Sequence, residues 1–349
     1  MAVANADPAL ETLLLPFANG ELAWPDARVL FLRARDGWAL RQFPLQRLIC
    51  EQSFKPDADA LVRSGLEVVE AALPLPQGFP LVLILPPRQR DEMRALFARA
   101  VSLAAPGGIV VACMANDEGA KSGEGDLQKL TGLGGKLTKN HCRVFWTPPL
   151  HGVPDAELLA QWSQLDAPRS ILDGRFISRP GVFAWDRIDA ASALLAECLP
   201  VDFTGVGADL GSGYGFLSSE VLSRNENVSA LHLYEAEARA LDCAKSNLAP
   251  FADTTDLDFR WHDVTTGLPQ AYDFIVTNPP FHATQKAGRP DIGQRFIAVA
   301  AQALKPGGRL CLVANRHLPY EQTLGANFGS VRVAAERDGF KAIEAVKSR

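Results

Sequence analysis

The chain has no apolar run approaching the ~20 residues needed to cross a bilayer, so no segment reads as a membrane span. Met1 to Gly20 holds acidic residues and no basic one. That is not the pattern of a secretory or transit peptide, and the expected location is cytoplasmic. The six cysteines (Cys50, Cys113, Cys142, Cys198, Cys243 and Cys311) stand singly, far apart in the sequence. Without a CxxC pair or a His–Cys ligand spacing, neither a metal site nor a disulfide framework is expected. Isolated thiols of this kind read as small buried apolar side chains in a reducing compartment. Positive charge is also in short supply: 35 Lys and Arg against 40 Asp and Glu leave a net charge of −5. This argues against a long, nonspecific grip on nucleic-acid phosphates, while leaving room for a local basic patch.

With 349 residues, 47% apolar and 21% charged, the composition is that of a globular protein and the length that of two ordinary domains. The two halves echo each other. Leu81-Val82-Leu83-Ile84-Leu85-Pro86-Pro87 and Phe274-Ile275-Val276-Thr277-Asn278-Pro279-Pro280 are both apolar strands ending in Pro-Pro. Each is followed by a helical stretch, then Pro-Gly-Gly at 106–108 or 306–308, then another apolar strand ending at Met114-Ala115-Asn116 or Val313-Ala314-Asn315. A β–PP–α–PGG–β unit that occurs twice reads as a duplicated domain.

The copies differ where chemistry would sit. Leu85 stands where the second half has Asn278, and Val29–Leu32 runs into Arg33-Ala34-Arg35-Asp36 instead of a glycine turn. The first half is therefore expected to have kept the fold and lost a ligand site. It is either a purely structural copy or a substrate-docking domain, with Arg33, Arg35, Lys129, Lys136, Lys139 and Arg143 as candidate contacts. Its glycine-rich stretch Lys121–Lys139 reads as a mobile loop. Gly135-Lys136-Leu137 lacks the Ser or Thr of a phosphate loop. The domains are expected at 1–150 and 179–349, joined by a proline-marked linker at 151–178.

The second half alternates strand and helix. Val206–Gly211 is a short apolar strand of the kind buried in a parallel sheet. Ala230–Glu235, Leu257–Trp261, Tyr272–Thr277 and Arg309–Ala314 are further strands, with helices at Tyr214–Arg224, Ala236–Leu248 and Gln294–Leu304, the last stopped by Pro306-Gly307. Val331–Arg337 and Phe340–Val346 flank Asp338-Gly339, the strongest short hairpin signal. The expected product is a mixed α/β sheet closed by an antiparallel C-terminal hairpin.

Two stretches carry the chemistry. In Asp209-Leu210-Gly211-Ser212-Gly213-Tyr214-Gly215 a strand ends in a glycine turn, which permits φ > 0 and close approach of a ligand to the backbone. The G-x-G-x-G spacing differs from the G-x-G-x-x-G of nicotinamide enzymes. Glu235, at the end of the second strand beside Ala236, is placed to accept two ribose hydroxyls, with Glu237 a competitor. Asp263 can accept an adenine amino group, Val264 can cover the ring, and Asp209 can orient the turn or meet an ammonium. The second stretch is Asn278-Pro279-Pro280-Phe281-His282. The Asn278 oxygen accepts from an exocyclic amine, Pro279 removes a donor and offers its carbonyl, and Phe281 stacks on a base. His282 and Arg316 are candidate contacts to base or phosphate. Phe183 and Asp189 can cover the pocket, or serve as a core aromatic and a helix cap. Together these features read as a pocket for an adenosine-containing cofactor beside a clamp for a planar amine.

With Arg179-Pro180-Gly181-Val182-Phe183 and Val313-Ala314-Asn315-Arg316-His317-Leu318-Pro319-Tyr320 added, the chain resembles the ribosomal RNA guanine-N2 methyltransferases, most closely the small-subunit type. Phe281 suits that family better than the tyrosine of glutamine and adenine enzymes; Ser212, where the family often has Cys, is a departure. The resemblance implies two tandem Rossmann-like class I domains, the N-terminal one degenerate, each built on a seven-stranded mixed sheet. It implies methyl transfer from S-adenosyl-L-methionine to the exocyclic N2 of one guanine in 16S rRNA. The partner is ribosomal RNA or the assembled small subunit, with no metal and no membrane. A 23S rRNA guanine enzyme, a glutamine or DNA-adenine methyltransferase, and a noncatalytic RNA-binding assembly factor are the alternatives.

Overall fold

The computed structural model describes residues 7–69, 75–152, 155–280, 290–318 and 320–349. The chain divides into two compact units, Met1–Ala167 and Pro168–Arg349. In the first, α1 (Pro8–Leu13) and α2 (Leu15–Ala18) precede β1 (Val29–Leu32), β2 (Leu48–Glu51), α3 (Lys55–Arg63), β3 (Glu67–Val69) and β4 (Phe79–Ile84). Then come α4 (Arg90–Leu103), β5 (Ala104–Ala115), α5 (Ala120–Thr131), β6 (Gly135–Lys139), β7 (Cys142–Trp146) and α6 (Ala156–Ser163). The second unit opens with a hairpin of β8 (Arg169–Ile171) and β9 (Phe176–Ser178), followed by α7 (Ala190–Cys198). Next are β10 (Gly205–Leu210), α8 (Phe216–Arg224), β11 (Val228–Glu235), α9 (Ala238–Leu248), β12 (Asp256–Trp261) and β13 (Tyr272–Thr277). It closes with α10 (Pro290–Ala303), β14 (Leu304–Asn315), α11 (Glu321–Asn327), β15 (Ser330–Arg337) and β16 (Phe340–Val346).

The two seven-stranded sheets run β3-β2-β1-β4-β5-β7-β6 and β12-β11-β10-β13-β14-β16-β15. Counted within each sheet, the orders are the same. In both, the first five strands pair in parallel and the last two join antiparallel. The echo seen at Pro-Pro and Pro-Gly-Gly is therefore a duplication of the whole fold. The central strands are apolar on both faces, as burial under helices on each side requires. On β13, Phe274 and Val276 enter one core cluster and Ile275 the opposite one.

The Pro-Gly-Gly triplets do more than stop a helix. β5 and β14 begin before them, at Ala104 and Leu304, and the register with β4 and β13 slips as the strand passes through. Gly107 and Gly307 both take φ +78, a region that disfavours side chains. A Cβ on Gly108 would lie 2.8 Å from the Phe79 carbonyl, and one on Gly308 would lie 2.9 Å from that of Lys305. The triplet is thus a bulge, and sequence patterning set the fifth strand too short. At the hairpin, Asp338 and Gly339 take φ 52 and 82, as a type I′ turn demands.

Two expectations need correction. Lys121–Lys139, read as a mobile loop, forms most of α5 and all of β6. Gly123 serves packing there: a Cβ would stand 2.5 Å from Met114 Sδ, so its absence lets α5 lie against the sheet. In the stretch 151–178, read as a linker, the described residues from 155 onward are also folded. Trp162 of α6 is buried in the core of the first unit, and Phe176 of β9 in that of the second.

Gly207 of β10 allows the stacked pair Phe203 and Phe274, 4.1 Å between centroids, to lie flat against the strand. A Cβ there would come within 2.0 Å of the Phe274 ring. Gly207→Ala is expected to destabilise the protein by about 1–3 kcal/mol through overpacking, read as a lower urea midpoint. An unchanged midpoint would contradict this packing.

Candidate active site

The strand order of the second sheet turns at β10. The chain moves outward to β11 and β12 on one side, then returns to β13 and β14 on the other. Such a reversal opens a crevice beyond the carboxyl ends of the strands. Leu210 pairs with Thr277 across it, so Gly211 and Asn278 are the first residues past the sheet on neighbouring strands. Thr277 Oγ1 donates to the Leu210 carbonyl at 2.7 Å and pins the two ends together. A methyl group built on Gly211 would lie 4.0 Å from the Asn278 carbonyl oxygen and 3.7 Å from Phe296 of α10.

The glycine turn has the shape its sequence calls for. Gly211, Gly213 and Gly215 take φ 73, 55 and 88. The Gly211 and Ser212 amides both donate to the Tyr234 carbonyl at the end of β11. Among the described residues no atom beyond its chain neighbours lies within 4 Å of a Cβ placed on Gly213, so the space before it is open. Tyr214 turns its ring inward against Phe176 and donates its hydroxyl to the Arg187 carbonyl at 3.0 Å.

Glu235 is part-buried. One carboxylate oxygen accepts the Gly213 amide at 2.7 Å and the other accepts the Glu237 amide at 2.9 Å. Burial raises its carboxyl above the usual range, and these amide hydrogen bonds pull it back down. Ala236 accepts from the Trp261 indole at 2.8 Å. The His262 amide donates to the Glu235 carbonyl at 2.9 Å, which sets Asp263 beside the acid. Asp263 caps a short turn by accepting from the amide and hydroxyl of Thr265. Val264 is buried in the apolar cluster under the sheet.

Asp209 lies beneath the turn, fully buried, with one oxygen accepting from Ser218 Oγ at 2.7 Å. Its other oxygen and the Ser212 hydroxyl are buried and, among the described residues, have no hydrogen-bond partner. Burial pushes the Asp209 carboxyl up to about 7, opposed by the Ser218 hydrogen bond.

The Asn278 side chain is held from one end. Its Nδ2 donates to Asp189 Oδ2 at 3.0 Å and to Ser192 Oγ at 2.8 Å. An ionised carboxylate only accepts, so the amide nitrogen must face Asp189. Oδ1 is left buried and, among the described residues, without a hydrogen-bond partner. Pro279 is buried and Pro280 exposed. Asp189 also caps α7 through the Ser192 amide at 2.9 Å. Of the two roles considered for Asp189, the helix cap is the one observed. Ser192 was not foreseen; the spacing Asp189-Ala190-Ala191-Ser192 was its only signal.

Phe281 and His282 lie outside the described residues. Phe183 is 65% exposed on the turn before α7. Arg316 is exposed at the carboxyl end of β14, its amide donating to the Gly339 carbonyl at 2.7 Å.

The same positions in the first unit carry different side chains. Leu32 pairs with Glu51 and Ile84 as Leu210 pairs with Tyr234 and Thr277. Arg33 therefore matches Gly211, Gln52 matches Glu235, and Leu85 matches Asn278. Arg33 keeps the left-handed φ of 53 and fills the turn with a guanidinium bonded to the buried Glu92 at 2.9 Å. Gln52 still accepts the amide two residues on, from Phe54, as Glu235 does from Glu237. Its other end now donates to the Ala34 carbonyl, so an acceptor has been lost. Leu85 is buried in the core. Of the basic residues considered for docking, Arg33, Arg35, Lys136 and Arg143 are ion-paired within the unit, to Glu92, Asp7, Glu124 and Glu124. Lys129 and Lys139 are exposed.

Among the described residues no group of three or more His, Cys, Asp or Glu could hold a metal ion, and no helix is long and apolar enough to cross a membrane. The model of the methyltransferase small domain matches residues 173–344. The ribosomal RNA small subunit methyltransferase C of Shewanella pealeana is 30% identical over 278 residues, 79% of this chain and 80% of that protein. The protein of the same name from Shewanella loihica is 30% identical over 77% of this chain and 78% of its own length. Among solved structures, a 16S rRNA N2 methyltransferase from T. thermophilus, in complex with AdoMet and guanosine, superposes with a TM-score of 0.80. It is 24% identical and covers 98% of this chain and 92% of its own. That likeness extends the two-unit fold to a known structure. By its sequence relatives and its architecture, the chain belongs to the ribosomal RNA small subunit methyltransferase C family.

Proposed function

We propose that the second unit transfers a methyl group from S-adenosyl-L-methionine to the exocyclic N2 of a guanine in 16S rRNA, in the cytoplasm, on RNA or on the assembled small subunit. The observation that carries this reading is the Asn278 carboxamide: both its hydrogens are engaged by Asp189 and Ser192, and its oxygen is unpartnered. An acceptor held this way, one residue past a strand beside a glycine turn, suits a nucleobase amine. The relatives' name specifies small-subunit ribosomal RNA. The T. thermophilus protein, solved with guanosine, specifies N2 of a 16S base.

The residues fit the cofactor. The open face of Gly213 leaves room for it, the Ser212 hydroxyl and Asp209 Oδ1 lack protein partners, and Glu235 can accept two ribose hydroxyls. Asp263, beside Glu235, suits the adenine amino group. When bound, the cofactor supplies a methyl group made electrophilic by its sulfonium. The protein's part is alignment: Asn278 Oδ1 and the Pro279 carbonyl accept the two hydrogens of the amine and aim its nitrogen at the methyl group. Phe281 is proposed to stack on the base, Phe183 to cover it, and His282 and Arg316 to contact RNA.

Mass-spectrometric mapping of methylated guanines in rRNA from cells lacking the gene is expected to show one N2 methyl missing from 16S rRNA. A full complement there would overturn the assignment. Asn278→Ala is expected to lower turnover on the order of 100-fold and to leave cofactor binding in place; wild-type turnover would remove the clamp. Gly213→Leu would put a side chain in the open space, and calorimetry is expected to show cofactor affinity reduced about tenfold or more. An unaltered dissociation constant would contradict that placement. Asp209 titrates at about 7 in the fold, above the ~4 of an unfolded carboxyl. Its contribution to stability is therefore full below the lower value and lost as pH rises through the higher one. Asp209→Asn removes this loss, so its Tm relative to the parent is expected to be higher at pH 8 than at pH 5. Equal differences would show that the carboxylate is not buried as described.

A further inference from the structure

Given the amine-clamp reading of Asn278, on which this rests, we propose that Asp189 and Ser192 are positioning residues that fix which way the Asn278 carboxamide faces. A terminal amide is close to symmetric in shape and opposite in chemistry at its two ends. Turned one way it offers an acceptor to an amine; turned the other way it offers two donors and repels one. Among the described residues, the side-chain partners that choose between these are not on β13. The choice comes from a separate element, the start of α7. There Asp189 Oδ2 and Ser192 Oγ take the amide nitrogen at 3.0 and 2.8 Å. Both hydrogens of the NH2 are used, which leaves Oδ1 as the buried, unpartnered end.

The same stretch also holds the cofactor side of the crevice. Two residues before Asp189, the Arg187 carbonyl accepts the Tyr214 hydroxyl from the glycine turn at 3.0 Å. Residues 187–192 therefore tie the turn and the carboxamide to one short piece of backbone. That piece is stiffened by the Asp189 cap on α7.

The substitutions that test this separate capping from positioning. Serine is a good N-cap, but its hydroxyl is one bond shorter than the Asp carboxylate. Asp189→Ser is expected to keep the Tm and the cofactor dissociation constant and to lower kcat about tenfold or more, with KM for RNA little changed. Asp189→Asn, whose carbonyl can accept from both Ser192 and Asn278, is expected to restore most of that loss. Ser192→Ala is expected to fall between the two. The decisive comparison is the double variant. Asp189→Ser placed in an Asn278→Ala background is expected to lower kcat no further, because there is no carboxamide left to orient. Full turnover in Asp189→Ser, or a further drop in the double variant, would overturn the positioning role. If instead Asn278→Ala alone is fully active, the clamp reading fails and this proposal fails with it. A dead Asn278→Ala beside a fully active Asp189→Ser sinks only the positioning role.

Discussion

The hydrogen bond from Thr277 Oγ1 to the Leu210 carbonyl sits at the point on which the site depends. It joins the carboxyl ends of β10 and β13 where the strand order reverses. Beyond it, one strand continues into a turn that only glycines shape well, and the other into a carboxamide followed by two prolines. Because the strands are parallel and adjacent, Gly211 and Asn278 stand side by side, each one residue past the paired Leu210 and Thr277. Methyl transfer is chiefly a matter of alignment, so a rigid edge of this kind is the asset the reaction needs.

The duplicated fold sets two versions of the same sheet edge beside each other. The first unit retains the strand order, the bulges at Pro-Gly-Gly and the left-handed residue after its first strand. Three of the differences lie along the crevice. A glycine became Arg33, an acid became Gln52, and the carboxamide position became Leu85. Each replacement is satisfied within its own unit: the guanidinium by Glu92, the amide by the Ala34 carbonyl, the leucine by the core. None of the three disturbs the apolar clusters on the faces of the sheet. The residues that fill the core and those that line the edge are different sets here.

Much of this was legible in the sequence. Apolar strands ending at fixed signals, the D-G turn and the repeated Pro-Pro and Pro-Gly-Gly gave the architecture, because those signals reflect local backbone requirements. Position 85 could be matched to position 278 from the strands alone. What sequence reading lost were features set by tertiary contact. Glycines at 121–139 read as looseness, whereas Gly123 is there to let a helix approach Met114. Prolines at 151–178 read as a linker, whereas Trp162 and Phe176 anchor that stretch in two separate cores. Gln52 went unnoticed because its match to Glu235 emerges only from strand register. Ser192 was missed because its partner lies 86 positions away in the chain.

The most direct test of the central claim is a crystal structure of the protein with S-adenosylhomocysteine and guanosine. The account predicts the guanine N2 about 3 Å from Asn278 Oδ1, facing the sulfur, with Nδ2 still on Asp189 and Ser192. A base seated away from β13, or a carboxamide turned so that its nitrogen meets the guanine amine, would contradict it.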